Sequence, residues 1–431
     1  MTARETPAHQ PPEADVQFDI NADDESFAQM ARLFAHHGDI YRVYAPGRKS
    51  HTYVINHPDD VKRVLVGNHR NYTKGVGLDR VKILLGNGIM TSEGDFWRQQ
   101  RYMMQPMFHR RVVTQFAQLI ETANERFIEK WAAQAARGEL VNLTDDMSEL
   151  TLAVVLQSIF GQDLGPLSGP FEMVTREQAR DLKFAYQFRS LTKLVAQVIA
   201  RRRAGREEHY DFLGLLMDAR DKETGEPMTD KALIDEVMTL VVAGHETTAS
   251  GLNWTWYLLS QHPEVDARLA AEINAAPEYT APSLAQMEAL PWTNAVVNEA
   301  LRLYPPGWLL SRRTLEADTL SGYEIPAGSD VFLSPYFLHR HPRYWQHPDA
   351  FRPERFDAEH EAERPRFAYM PFAAGPRHCI GETLALYEML THLYKVARHY
   401  RLALAGNEPI ELEAQINLRT RKPLFMRLER R

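Results

Sequence analysis

A chain of 431 residues with a single cysteine has one place where thiolate chemistry can occur, and its neighbours constrain what can be built there. That residue is Cys379, in the stretch Pro371-Phe372-Ala373-Ala374-Gly375-Pro376-Arg377-His378-Cys379-Ile380-Gly381. A free cysteine packed as a small hydrophobe is the plain alternative. The neighbours favour another role. Gly and Pro breakers precede the cysteine, and Ile380 to Tyr387 has strong helical character. A sulfur at such a helix start faces open N–H groups and the positive end of a helix dipole, which favour thiolate over thiol. Gly375 can take the positive φ of a tight reversal, and Gly381 lets backbone approach a flat ligand closely. Phe372 offers an apolar plate, and Arg377 a fixed cation able to hold a carboxylate beside the sulfur.

Composition bounds the rest. Hydrophobic residues make up 44% of the chain and charged ones 25%, the balance of a globular protein with a large core. A net charge of −7 argues against a general nucleic-acid binder. One cysteine in this length excludes a disulfide scaffold and fits a reducing compartment, here the cytoplasm. Met1 to Asp24 is polar, with no apolar core of signal-peptide length and no run of ~20 apolar residues, so no membrane anchor is expected. Residues 1–25 read as a flexible tail. No repeat or Pro/Gly/Ser linker divides residues 26–431, which read as one large domain, mainly α with a small β-rich lobe.

Along that domain, helical spacing begins at Phe27, and strand-like runs Ile40 to Tyr44 and His51 to Ile55 flank Pro46-Gly47. Asn68 to Asn87, with Gly75, Gly77 and Gly86, reads as mostly loop. A helix from Ser92 to Arg101 has Ser92 or Asp95 as its cap. Trp97 and Arg101 lie four apart, so an indole N–H and a guanidinium share one face as a carboxylate clamp. The same spacing also suits an ordinary stacked surface pair. Arg98, Arg101, His109, Arg110 and Arg111 form a basic run with no acidic residue between Trp97 and Arg111. It is either a solvated face or a docking patch for an acidic partner.

The longest periodic helix runs from about Thr229 to Ser260. Its centre, Val242-Ala243-Gly244-His245-Glu246-Thr247-Thr248, is locally weak, because Gly costs ~1 kcal/mol in a helix interior and Thr competes for backbone carbonyls. Such a defect can open a groove along which Glu246 and Thr247 relay protons. A packing kink with a back-bonded Thr is the plain alternative. His245 has no second ligand at metal-binding spacing and reads as structural. Farther on, Glu299 and Arg302 share a helical face, and Arg355 follows in Phe351-Arg352-Pro353-Glu354-Arg355-Phe356. After the cysteine helix, strand-like pieces run from Ile410 to Leu428.

The order Phe-x-x-Gly-x-Arg-x-Cys-x-Gly over residues 372–381 resembles the haem-binding loop of the cytochrome P450 family, and the likeness extends over about residues 26–431. The resemblance implies a triangular, mainly α fold and haem b (iron protoporphyrin IX), with Cys379 as the iron ligand. It implies that Trp97, Arg101 and Arg313 (or Arg312) hold propionates, and that Ala243, Phe372, Gly375, Arg377 and Gly381 line the cofactor. Glu246 and Thr247 match the family's Ala-Gly-x-(Asp/Glu)-Thr element, with Thr247 orienting bound oxygen and water and Glu246 connecting to solvent. Glu299, Arg302 and Arg355 match its structural charge network. Val242, Trp308 and Leu309 would border an apolar substrate pocket. The lid stretch Gly161 to Arg201 is short for its role, and the expected absence of a membrane tether resembles the family's soluble bacterial members rather than its membrane-tethered eukaryotic ones.

The function so implied is a monooxygenase that takes dioxygen and inserts one oxygen atom into an apolar small molecule. The chain ends soon after the cysteine helix, and one cysteine cannot supply an iron–sulfur cluster. Electrons are therefore expected from a separate donor, such as a ferredoxin with its reductase. A peroxide-driven haem-thiolate enzyme and a non-enzymatic haem sensor are the competing readings. The first has no need of Glu246 and Thr247, and the second no need of a donor-docking face.

Overall fold

The computed structural model describes residues 10–165, 168–171, 182–205, 208–357, 360, 364–406 and 408–431. In chain order the strands among them are β1 (Ile40–Ala45), β2 (Ser50–Ile55), β3 (Tyr72–Lys74), β4 (Val141–Asn142), β5 (Leu310–Thr314) and β6 (Asp318–Leu320). There follow β7 (Tyr323–Ile325), β8 (Asp330–Leu333), β9 (Tyr400–Leu404), β10 (Leu412–Ala414), β11 (Leu418–Thr420) and β12 (Phe425–Arg430). The chain resolves into two compact units, each threaded more than once. One gathers Met1–Leu78, Glu299–Cys379 and Leu412–Arg419; the other gathers Asp79–Asn298, Ile380–Glu411 and Thr420–Arg431.

The first unit is built on a five-stranded sheet of order β1-β2-β8-β5-β3. β2 and β8 pair in parallel, Thr52 opposite Asp330, and the other pairs are antiparallel. Alternate residues point to opposite faces of a strand, and both faces are buried. Ile40, Tyr53, Ile55, Val331 and Leu333 belong to one core cluster, and Tyr41, Val43, Val54 and Phe332 to the other. The second cluster is closed by the helix Asp24–His37, which starts where the Asp23 carboxylate accepts from Ser26 N–H at 2.8 Å and which buries Met30 and Leu33 completely.

The flexible-tail reading fails for residues 10–25. Arg42 N–H donates to Pro12, Ala14 N–H to Arg42 and Phe18 N–H to Tyr44, so the segment lies along the edge strand β1. Ile20, only 1% exposed, plugs the core. Polar composition misled here, because the backbone supplies the bonding. Residues 1–9 lie outside the described residues. The stretch 68–87 is also more regular than expected: β3 pairs Tyr72 with Thr314, and Leu78–Leu85 is helical. Three residues of strand are too short to show a period.

The second unit is helical. Its long helix, Asp230–Gln261, starts at Thr229, whose hydroxyl accepts from Ala232 N–H at 3.2 Å, and it is buried on most sides, as a central helix must be. Around it lie Ala117–Ala136, Leu143–Phe160, Leu182–Ala204 and the post-cysteine helix Glu382–Ala397. A small sheet, β4-β12-β9, joins the chain's last strand to two earlier segments. β9 is an addition to the sequence reading. The helix of Trp97 spans Gly94–Met104 with Glu93, not Ser92 or Asp95, at its cap position; Ser92 is fully buried, and Asp95 pairs with Arg98. The lid stretch lies partly outside the described residues. No helix among the described residues is long and apolar enough to cross a membrane.

Candidate active site

In the first unit the Cys379 loop closes on itself. Ala373 N–H donates to Met370 at 3.0 Å, His378 N–H to Gly375 at 3.0 Å and Cys379 N–H to Phe372 at 2.9 Å. Gly375 has φ +74, and a Cβ there would stand 1.9 Å from the Leu65 carbonyl oxygen, so conformation and space both require glycine. Phe372 and Arg377 are half-buried, and Gly381 opens the Glu382–Ala397 helix without a side-chain cap bond. The Cys379 side chain is exposed, which excludes an inert core thiol.

Behind the loop stands a buried brace. Arg302, fully buried, donates through Nε to Glu299 at 2.6 Å and through one amino group to the other Glu299 oxygen at 2.8 Å and to Ala350 at 3.1 Å. Its other amino group serves the carbonyls of His339 at 2.8 Å and Pro348 at 2.6 Å, so every guanidinium N–H has a partner. Arg355 Nε reaches Glu299 at 3.3 Å, and Arg352 N–H donates to the same oxygen at 2.8 Å. The structure thus brings Glu299, Arg302 and Arg355 together.

It adds a residue that the sequence reading passed over. His339 Nε2 accepts from Met370 N–H at 2.9 Å, and its Nδ1 lies 3.2 Å from the Arg302 carbonyl. The ring links the brace to the residue just before Pro371. Burial, reinforced by the Arg302 charge, pushes its pKa well below the usual value, so it is neutral. Two neighbouring histidines in an irregular Pro-bearing segment were the only trace of it in the sequence.

Other assignments in this unit shift. Arg313 is bound to the Asp330 carboxylate through two bonds of 3.0 and 2.9 Å, which orient an otherwise exposed guanidinium. Arg312 points to the opposite side of β5 and donates to the Ser311 carbonyl at 2.7 Å. Trp308 is not a pocket residue: it is fully buried, its indole N–H donates to Gln415 at 2.8 Å, and its ring lies 5.3 Å from Phe27. Large aromatic area is worth most in a core, and a carbonyl satisfies its one donor. Leu309 packs half-buried against the same cluster.

In the second unit Trp97 and Arg101 share a face of Gly94–Met104, both half-buried. The basic run near them is less naked than its sequence implies, since Arg98 pairs with Asp95 and Arg110 with Glu288. His109 caps the short Arg110–Val113 helix, and Arg111 is exposed. On the long helix, Ala243 is exposed and Val242, Gly244, Glu246 and Thr247 are half-buried, although Val241, His245, Thr248 and Ala249 around them are buried. Positions 243, 246 and 247 form one accessible stripe on a helix otherwise packed away. The helix runs unbroken through this stretch, so the groove is a matter of exposed side chains and not of lost turns. The Thr247 hydroxyl donates to the Ala243 carbonyl at 2.8 Å, and Thr248 to Gly244 at 3.1 Å. His245 is buried against Ser148, 2.9 Å away.

Earlier on this helix, Asp235 accepts from Asn87 N–H at 2.9 Å and Glu236 from Ile89 N–H at 2.8 Å. Burial pushes the Glu236 pKa up to about 8. These two carboxyls hold segment 86–89 against the helix, a job that the sequence reading did not assign.

These groups suit a thiolate-bound haem by their chemistry: an exposed sulfur on a loop pinned by its own backbone, indole and guanidinium donors for carboxylates, and a small-residue stripe beside an acid and an alcohol. The comparisons with known proteins agree. The family model described as Cytochrome P450 matches residues 16–175 and 166–427. Cyclooctatin synthase of Streptomyces melanosporofaciens is 33% identical over 412 residues, covering 90% of this chain and 88% of that protein. Cyclooctat-9-en-7-ol 5-monooxygenase of the same organism is 32% identical over 391 residues, covering 85% and 83%. Among solved structures, the haem domain of cytochrome P450DA matches with a TM-score of 0.85 and 25% identity over 98% of both chains. The chain therefore belongs to the cytochrome P450 family of monooxygenases.

Proposed function

We propose that this protein is a cytoplasmic haem-thiolate monooxygenase that hydroxylates or epoxidises an apolar small molecule with electrons from a separate donor. Haem b supplies dioxygen activation and oxygen insertion when bound. The chain's own residues do the rest. Cys379 gives the sulfur ligand, and the exposure of that lone thiol in a loop with its backbone bonds already made is the observation that carries the reading. Trp97, Arg101, Arg313 and Arg377 hold the propionates, with Asp330 fixing the Arg313 fork. Phe372, Gly375, Gly381 and Ala243 shape the walls.

Thr247 keeps its hydroxyl proton on the Ala243 carbonyl and presents its lone pairs along the accessible stripe, from where it can accept and pass on a proton. Glu246, the preceding residue on that stripe, is the exchanger with solvent. Val242 and Leu309 face the substrate. A relative carries the name of a 5-monooxygenase of cyclooctat-9-en-7-ol, which makes that unsaturated alcohol the first ligand to try in a binding titration read by the haem absorption shift.

The test is the carbon monoxide spectrum of the reduced protein. The red-shifted band of thiolate ligation is expected in the parent and absent in C379A; a parent lacking it overturns the assignment. Turnover with hydrogen peroxide alone, as efficient as with a reductant and dioxygen, would instead favour the peroxide-driven enzyme.

A further inference from the structure

The turn that carries Glu246 and Thr247 has an unusual set of backbone acceptors. Three consecutive carbonyls of the long helix each take a hydroxyl donor. Thr247 donates to Ala243 at 2.8 Å and Thr248 to Gly244 at 3.1 Å, both from within the helix. The third, His245, receives the Thr151 hydroxyl at 3.1 Å, and Thr151 belongs to the neighbouring helix Leu143–Phe160. Its single proton is shared with that helix's own carbonyls, Met147 at 2.9 Å and Ser148 at 3.3 Å. The His245 ring is held from the same side, Nε2 lying 2.9 Å from Ser148 Oγ. One turn farther along, a Cβ on Gly244 would meet Val155 Cγ2 at 2.9 Å. Ser148, Thr151 and Val155 stand at spacings of three and four, on one helical stripe.

We propose that Ser148 and Thr151 are positioning residues for the Glu246–Thr247 turn and act through His245; the inference rests on the role proposed for that turn. Successive helical residues are rotated by about 100°, so Thr247 points almost opposite to His245. Gripping His245 by both its ring and its carbonyl sets the rotation of the turn and thereby the direction of the acid and the alcohol on the accessible side. Each carbonyl also divides its acceptor capacity between a backbone amide and a hydroxyl. Such a turn can shift its hydroxyl protons without breaking the helix, provided that an outside element keeps it in register. Thr151 and Ser148 supply that outside hold.

The test compares T151V, which keeps the shape and loses the hydroxyl, with T151S, which keeps the hydroxyl, alongside S148A. Hydrogen exchange of the amides 246–249 is read in the full-length protein. T151V and S148A are expected to exchange about fivefold faster there, the effect of one neutral hydrogen bond, with T151S near the parent. With haem and a reductant, T151V is expected to release more peroxide per electron consumed while the thiolate band and substrate Kd stay unchanged, because misdirected donors lose coupling before they lose binding. Parent-like exchange and parent-like coupling in both T151V and S148A overturn the proposal. Faster exchange with unchanged coupling also overturns it, by reducing the contact to packing. Failure of the monooxygenase reading itself is seen separately, as a missing thiolate band in the parent.

Discussion

His339 is confined to one tautomer by the groups it joins. Nε2 must accept from Met370 N–H, so the ring proton sits on Nδ1 and is donated to the Arg302 carbonyl. A second proton would find no acceptor and would stand beside the Arg302 charge, out of reach of water. Folding therefore depresses this group's pKa from 6.5, and the linkage has a definite sign. Below pH 6.5 the unfolded chain takes up a proton that the folded chain refuses, so the stability present above that pH is lost as pH falls, by ~1.4 kcal/mol per unit. H339Q is expected to be less stable than the parent at pH 7, by ~1–3 kcal/mol, because one amide cannot satisfy both the Met370 N–H and the Arg302 carbonyl at the imidazole's spacing. The variant lacks the His339 share of the acid slope, so the two urea midpoints should converge toward pH 5. Midpoints that stay parallel across that range would show that the ring is not held neutral.

At the scale of elements, the helix pair Leu143–Phe160 and Asp230–Gln261 decides how close the Gly244 turn can be approached. Replacing Gly244 by Ala gains ~1 kcal/mol of helix propensity but sets a methyl 2.9 Å from a stiff, β-branched Val155. Overpacking of this kind costs ~1–3 kcal/mol. G244A alone is therefore expected to be neutral to destabilising, V155A to cost a cavity, and the double variant to recover stability relative to the sum. Additive effects in chemical unfolding would mean that the glycine is not there for the approach.

The same pair shows what the sequence could disclose. The length of the long helix and its start near Thr229 follow from spacing within one segment, while the Glu246–Thr247 pair and the Glu299–Arg302–Arg355 network were legible through their resemblance to the family's motifs and not from spacing alone. Asp330 under Arg313, Glu288 against Arg110 and Thr151 against His245 were not, because their partners meet through register or packing, to which sequence distance is blind. Trp308 illustrates the opposite error: proximity in sequence to Arg313 suggested a pocket wall, while ring packing with Phe27 makes it core. Residues 10–23 were misread because their order comes from main-chain bonds to β1, to which side-chain composition is indifferent.

For the molecule as a whole, five of the nine residues assigned to the cofactor lie in the stretch 372–381, but Trp97, Arg101, Ala243 and Arg313 come from segments far from it along the chain. An unfolded chain cannot gather such a set, so haem should bind the folded state alone. Mass action then stabilises the fold by RT ln(1 + [L]/Kd), ~4 kcal/mol at a thousandfold excess over Kd. Cys379 and Ala243 are exposed and Phe372 is half-buried, so these groups assigned to the cofactor are accessible. Haem-free protein is expected to remain folded in its braced core yet melt at a clearly lower temperature than the reconstituted protein, with Tm rising as haem is added beyond saturation. C379A should retain part of that gain if the propionate donors bind without the sulfur, and lose nearly all of it if the iron–sulfur bond dominates. A Tm that is indifferent to haem in both proteins would mean that the folded chain does not hold the cofactor at all, and scanning calorimetry across a haem titration decides among the three.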